Sequence, residues 1–170
     1  MAGPTAAADA VDEFQADLLS HDSATETLTH WCARRGLASP AVIRAERVQG
    51  DEKPAPEAVL AELHAGAGVA VRYRRVRLAC GDHVLSQAEN WYVPSHLTAE
   101  MNARLDASDT PFGAVVRPLG FHRRTLAARR TSAPGTILEV SAVLLTADES
   151  PFSYVVETYA ADLVAVTPGR

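Results

Sequence analysis

Arg75 lies in a strand-like run, Val71 to Leu78, that holds four arginines within eight residues. Glu157 stands alone in an apolar run from Tyr154 to Tyr159. A guanidinium offers a planar fork that binds carboxylate or phosphate through parallel hydrogen bonds. A carboxylate among apolar neighbours is costly unless it is paired, protonated or bound to a ligand hydroxyl. Between the two lies Asp109, Thr110, Pro111, Phe112 and Gly113, a turn that opens a short helix. These residue types point to a small acidic substrate.

Strand alternation assigns faces. Val71, Tyr73, Arg75 and Arg77 share one face, and Arg72, Arg74, Val76 and Leu78 share the other. The functional reading makes Arg75, with Arg77, the clamp for a substrate carboxylate. The alternative is a strand whose arginines are solvated or paired with cross-strand acids. In the last strand Val155, Glu157, Tyr159 and Ala161 share a face, while Phe152, Tyr154, Val156, Thr158 and Ala160 share the opposite one. Both faces are largely apolar, so this part of the sheet is expected to be covered on both sides. Glu157 then needs an arginine, a proton or a ligand, and a purely structural Arg–Glu pair satisfies that need equally well. A second basic cluster runs from Arg117 to Arg130, where His122, Arg124 and Arg130 either complete an anion pocket or decorate a solvated edge strand.

The elements that must position these groups follow from periodicity. Residues 1–8 read as a frayed tail and 9–170 as one domain. Asp9–Leu19 carries a helical apolar stripe, and Ser23 caps a second helix that ends at Gly36. Val42–Val48 reads as a strand, and Glu57–Leu63 as a short helix started by Pro56. Val69–Ala79 and His83–Val93 form a long hairpin across Gly81 and Asp82. Leu97–Leu105 is helical with Thr98 as a cap, and Pro111–Val116 is a short helix. Phe121–Thr131 is an arginine-rich strand, and Ile137–Thr146 with Phe152–Val164 forms a second hairpin. About six strands joined by hairpins predict an α+β fold: a single antiparallel sheet with helices covering it.

A chain of 170 residues buries roughly 70% of the surface that its unfolded form exposes, enough for a sizeable core. The net charge of −5 is uneven. Residues 1–70 carry 5 basic and 11 acidic groups, residues 71–130 carry 10 and 5, and residues 131–170 carry 1 and 5. An acidic protein with a basic middle suits a focused anion site better than a nucleic-acid surface. The 6% aromatic content also argues against a stacking platform for single strands. Fifteen arginines accompany the single Lys53, a bias that suits carboxylate binding but equally fits genomic base composition. Cys32 and Cys80, without a patterned spacing, suggest buried thiols in a reducing compartment. The first twenty residues lack the basic and apolar regions of a signal peptide, and no apolar run approaches a membrane span. A cytoplasmic protein is expected. The six histidines show no metal-ligand spacing, and dinucleotide, P-loop and nucleophile-elbow motifs are missing. Neither cofactor nor metal is expected.

Taken in order, Arg75, the Trp91, Tyr92, Val93, Pro94 strand end, Thr110 to Gly113, the arginine-bearing strand His122–Arg130 and Glu157 resemble the chorismate pyruvate-lyase family. The likeness runs from about Val71 to Tyr159, roughly half the chain, and the spacing from Arg75 to Val93 and Pro94 matches that expected in the family. Phe112 stands where the family has Leu, Val156 precedes Glu157 where the family has Thr, and the last strand runs on through Leu163. The resemblance implies an antiparallel six-stranded sheet with a buried, lid-covered site that works without a cofactor. It also implies removal of pyruvate from chorismate to give 4-hydroxybenzoate, with Arg75 and Glu157 as catalytic residues. Arg75 would hold the ring carboxylate, and Glu157 would hold the C4 hydroxyl or take the C4 proton. Phe112 and Gly113 would line the pocket, Arg77 would stand beside Arg75 in the clamp, and Arg124 or Arg130 would meet the departing enolpyruvyl carboxylate. Aromatisation drives such a reaction, so orientation and a dry site are the protein's main contributions.

Two alternatives stand beside this expectation. One is a non-catalytic small-acid binding protein on the same fold. The other is a related enzyme acting on a different cyclic unsaturated acid. The fold is also shared by ligand-sensing domains of some bacterial transcription regulators, in which a helix-turn-helix segment precedes the domain; none is recognisable in this sequence. The expected partners are a small anionic substrate and, at most, a second copy in a weak homodimer, with neither nucleic acid nor membrane.

Overall fold

A computed structural model describes residues 4–50 and 52–165. The order is α1 (Pro4–Leu19), α2 (Ala24–Arg35), β1 (Ile43–Arg47), α3 (Glu57–Glu62), β2 (Arg72–Cys80), β3 (His83–Tyr92), α4 (Ala99–Ala107), α5 (Phe112–Val116), β4 (His122–Arg130), β5 (Thr136–Leu145) and β6 (Pro151–Ala160), with short 3-10 turns after β3, α5 and β6. The α+β architecture is the expected one: six strands form one antiparallel sheet in the order β1-β2-β3-β6-β5-β4. The N-terminal helix is longer than its apolar stripe. It takes in Pro4 to Ala8, assigned above to a tail, because alanine is the strongest helix former and three of those five residues are Ala. Residues 1–3 lie outside the described residues.

Local chemistry sets the boundaries. The Ser23 side chain accepts from the Glu26 amide at 3.2 Å, capping α2. Gly36 ends that helix in the left-handed region, with φ 62°, where only glycine pays no steric penalty. Thr98 caps α4 by accepting from the Met101 amide at 3.1 Å. The β2–β3 turn needs Gly81 twice over. Its φ is +57°, and a Cβ there would come within 2.9 Å of the Ala38 Cβ.

The sheet's inner face carries two apolar clusters. Phe14, Leu18, Leu28 and Trp31 from α1 and α2 pack on Leu78, Leu138, Val140 and Tyr159. Met101, Leu105, Phe112 and Val115 from α4 and α5 pack on Tyr92, Leu144 and Phe152. The outer face is covered only in part, where Val59 and Leu63 near α3 sit on Trp91, Tyr73, Tyr154 and Val156. Double coverage around β6 explains why both of its faces read as apolar.

The cysteine expectation requires a correction. Cys32 and Cys80 are joined in a disulfide that ties α2 to the end of β2. Both are fully buried. They are 48 residues apart, and only the packing of the helix on the sheet brings them together. The thiols therefore give no support to a reducing compartment. Among the described residues no helix is long and apolar enough to cross a membrane.

Candidate functional site

A mostly apolar cavity of about 60 Å³ lies on the inner face where the two clusters meet. Strand register builds its floor. Arg74 stands opposite Asn90, and Asn90 stands opposite Val155. One row along, Val76, Ala88 and Glu157 lie side by side. Phe112, Phe121 and Leu144 form walls, and Ser23 and Thr25 at the start of α2 close one end.

Glu157 lies on the inner face and is 4% exposed. It is fully engaged. Arg123 Nη2 donates to one carboxylate oxygen in a short ion pair, and the Tyr159 hydroxyl donates to the other at 2.6 Å. Both partners of the ion pair have side chains only 5% exposed. Burial alone would lower the Arg123 pKa, but Glu157 and Tyr159 together hold it above the usual range. Burial, chiefly, pushes the Tyr159 hydroxyl well above its ordinary value. The group is thus a charge-neutral carboxylate–guanidinium pair with a neutral phenol, the arrangement that a buried acid requires.

Arg75 does not join it. It lies on the outer face, opposite Glu89, and is exposed. The arginine of β2 that reaches the cavity is its neighbour Arg74, 3% exposed. Arg77 follows Arg75 on the outer face. Arg124 is exposed and pairs with Glu62 at 2.9 Å. Arg130 reaches Asp12 and donates to Gln15 at 2.9 Å. These four arginines lie outside the cavity because Arg77 stands two positions on from Arg75 and so shares its outward face, and because Arg124 and Arg130 face solvent-side acids. His122 pairs with Glu149 at 3.1 Å, away from the cavity. Phe112 and Gly113 do line it. Phe112 packs its ring against Tyr92 and Phe152 at centroid distances of 5.3 and 6.4 Å. Gly113 lets α5 approach the start of α2, since a Cβ there would lie 3.2 Å from Thr25 Oγ1.

The residues missed from sequence are Arg74, Asn90, Arg123 and Ser153. Alternation carried a signal for the first. Arg74 shares its face with Val76 and Leu78, and of the two cations on that face it is the buried one, Arg72 lying exposed at the strand's start. Arg74 has no ion pair among the described residues. Its Nη2 makes one long hydrogen bond to the Thr110 carbonyl, 3.4 Å, and its Nε has no partner. Burial first, and the Arg47 charge second, lower its pKa to about 10. It remains a cation at neutral pH. Asn90 Nδ2 and Arg123 Nε also have no partner. The lining residues therefore carry three buried, unpartnered nitrogens, all hydrogen-bond donors. Among the described residues no cluster of His, Cys, Asp or Glu is arranged to hold a metal.

Comparison with known proteins extends this picture. No protein-family model matches the chain. The uncharacterized protein y4mC of Sinorhizobium fredii is 44% identical over 169 residues, covering 86% of this chain and 71% of that protein. Among solved structures, the effector domain of PhnF from Mycobacterium smegmatis aligns with a TM-score of 0.58 at 12% identity, over 88% of this chain and 94% of that domain. The ligand-binding domain of a GntR-family regulator from Bordetella bronchiseptica aligns with a TM-score of 0.52 at 18% identity, over 75% and 88%. The chain spans 62% of the regulator YydK of Bacillus subtilis, with a TM-score of 0.51 at 13% identity over 75% of this chain. At such identities the likeness establishes the fold alone, one shared with the ligand-binding and effector domains just described. The 44% identity goes further: the chain belongs to the family of the y4mC protein of Sinorhizobium fredii.

Proposed function

We propose that this protein is a small-molecule binding protein whose inner-face cavity takes a small organic acid on Arg74. The observation that carries this reading is the set of three buried donors without partners on Arg74, Asn90 and Arg123. Leaving a buried donor unpaired costs about 1–3 kcal/mol, more when it is charged. A carboxylate on Arg74 offsets that cost and neutralises the buried cation. Phe112, Phe121, Leu144 and Val155 would enclose the ligand's apolar part, as in most ligand sites. The solved structures described as ligand-binding and effector domains support the same reading through the fold they share.

The lyase reading asks Glu157 to hold a ligand hydroxyl or accept a proton. Here both of its oxygens are already occupied by Arg123 and Tyr159, which favours binding over turnover. The experiment is calorimetric titration of the protein with benzoate and with chorismate, alongside an enzymatic assay for pyruvate. Saturable binding of acids that is lost in Arg74→Met, with no pyruvate above the buffer rate, supports the proposal. Catalytic pyruvate release restores the lyase, and no binding of any acid defeats the reading.

A further inference from the structure

Arg74 and Asn90 stand directly opposite each other on β2 and β3, which places such Cβ atoms about 5 Å apart. Their donors therefore address neighbouring atoms of one ligand. Asn90 is 5% exposed, and its side chain is fixed rather than free. The hydroxyl of Ser153, itself fully buried, donates to Asn90 Oδ1 at 2.6 Å. That contact uses the amide's acceptor and leaves Nδ2 as the group without a partner. A charged donor and a neutral donor thus stand side by side, with the amide oxygen turned to Ser153.

We infer that Asn90 is a specificity-determining residue, and that the ligand's carboxylate carries a second oxygen acceptor beside it, as in a 2-oxo acid. This rests on the acid-binding reading of the same cavity. A keto oxygen only accepts, so it satisfies Asn90 Nδ2 completely. A methylene at that position leaves the amide unpaired. A buried polar group built to meet a ligand atom discriminates strongly against an analogue that lacks it. Ser153 acts through Asn90 as a positioning residue by holding the amide in the orientation that presents its nitrogen.

The test compares benzoylformate with phenylacetate, two acids that differ in a keto oxygen against a methylene. Affinities are measured by titration calorimetry on the full chain. Wild type is expected to bind benzoylformate at least tenfold more tightly, the equivalent of about 1.4 kcal/mol. In Asn90→Leu that preference disappears, because benzoylformate loses more affinity than phenylacetate does. Asn90→Asp keeps the Ser153 contact but sets a carboxylate against Arg74, so it weakens both acids and guards against a folding defect in the leucine variant. Ser153→Ala narrows the preference without changing phenylacetate affinity. If wild type binds both acids equally, or if Asn90→Leu and Asn90→Asp keep the preference, the inference is overturned while acid binding by Arg74 stands. If neither acid binds wild type, the underlying reading falls and the inference falls with it.

Discussion

Arg74→Met is expected to make the ligand-free protein more stable while abolishing acid binding. Arg74 buries a guanidinium that has one weak hydrogen bond, no ion pair among the described residues and an orphaned Nε. The lowering of its pKa to about 10, by burial and then by Arg47, corresponds to roughly 3 kcal/mol of penalty on the charged form. Methionine fills similar space without a charge, and replacing poorly compensated buried charges with apolar groups commonly stabilises by about 1–4 kcal/mol. Allowing for the lost Thr110 contact, the variant should gain about 1–3 kcal/mol in urea unfolding, or about 2–12 °C in Tm for a chain of this size. The sign with pH is definite. A base with a depressed folded pKa leaves the unfolded state holding more protons, so the penalty is present below about 10 and is relieved as pH rises from there towards the usual arginine range. The gain should therefore be constant between pH 6 and 9 and shrink only above about 10. Saturating acid should reverse the ranking, since ligand stabilises wild type alone. A loss of more than 1 kcal/mol in the ligand-free variant would refute the reasoning, because it would mean that Arg74 already has a good internal partner.

Other perturbations separate structure from binding. Glu157→Leu strands the buried Arg123 charge and should cost about 3–5 kcal/mol by denaturant unfolding, with Arg123→Met, Glu157→Leu together recovering much of that loss. Arg75→Ala should change stability by less than about 0.5 kcal/mol and leave acid affinity intact, measured by the same titrations. Phe112→Ala removes a ring packed on Tyr92 and Phe152, so it should lose about 3–5 kcal/mol of stability and weaken acids with aromatic bodies more than acetate.

The sheet was legible because its hairpins, caps and alternation are local. Ser23, Thr98 and Gly36 all act where the sequence signals place them. Glu157 was legible for the same reason, as a lone charge on an apolar face. Its partner was not, since Arg123 and Glu157 meet only through β4–β5–β6 pairing. The clamp was assigned to Arg75 because the family likeness emphasises that position, although alternation had already grouped Arg74 with Val76 and Leu78. A one-residue step in a strand exchanges the faces, and here it separates the cavity from solvent. Asn90 and Ser153 carried no signal of their own, since a buried polar pair shows its meaning only when register brings it beside an unpaired cation. The Cys32–Cys80 bond was equally hidden, because a helix and a strand end come together only in the packed fold.

The most direct test of the central claim follows the Arg74 Nε–H resonance by NMR while benzoylformate is titrated into the uniformly labelled protein, with Arg74→Met providing the assignment. A resonance that moves in a saturable way and becomes protected from solvent exchange, at the concentrations where calorimetry reports binding, is the predicted result. Saturable binding that leaves that resonance unmoved, or that persists in Arg74→Met, would contradict the account.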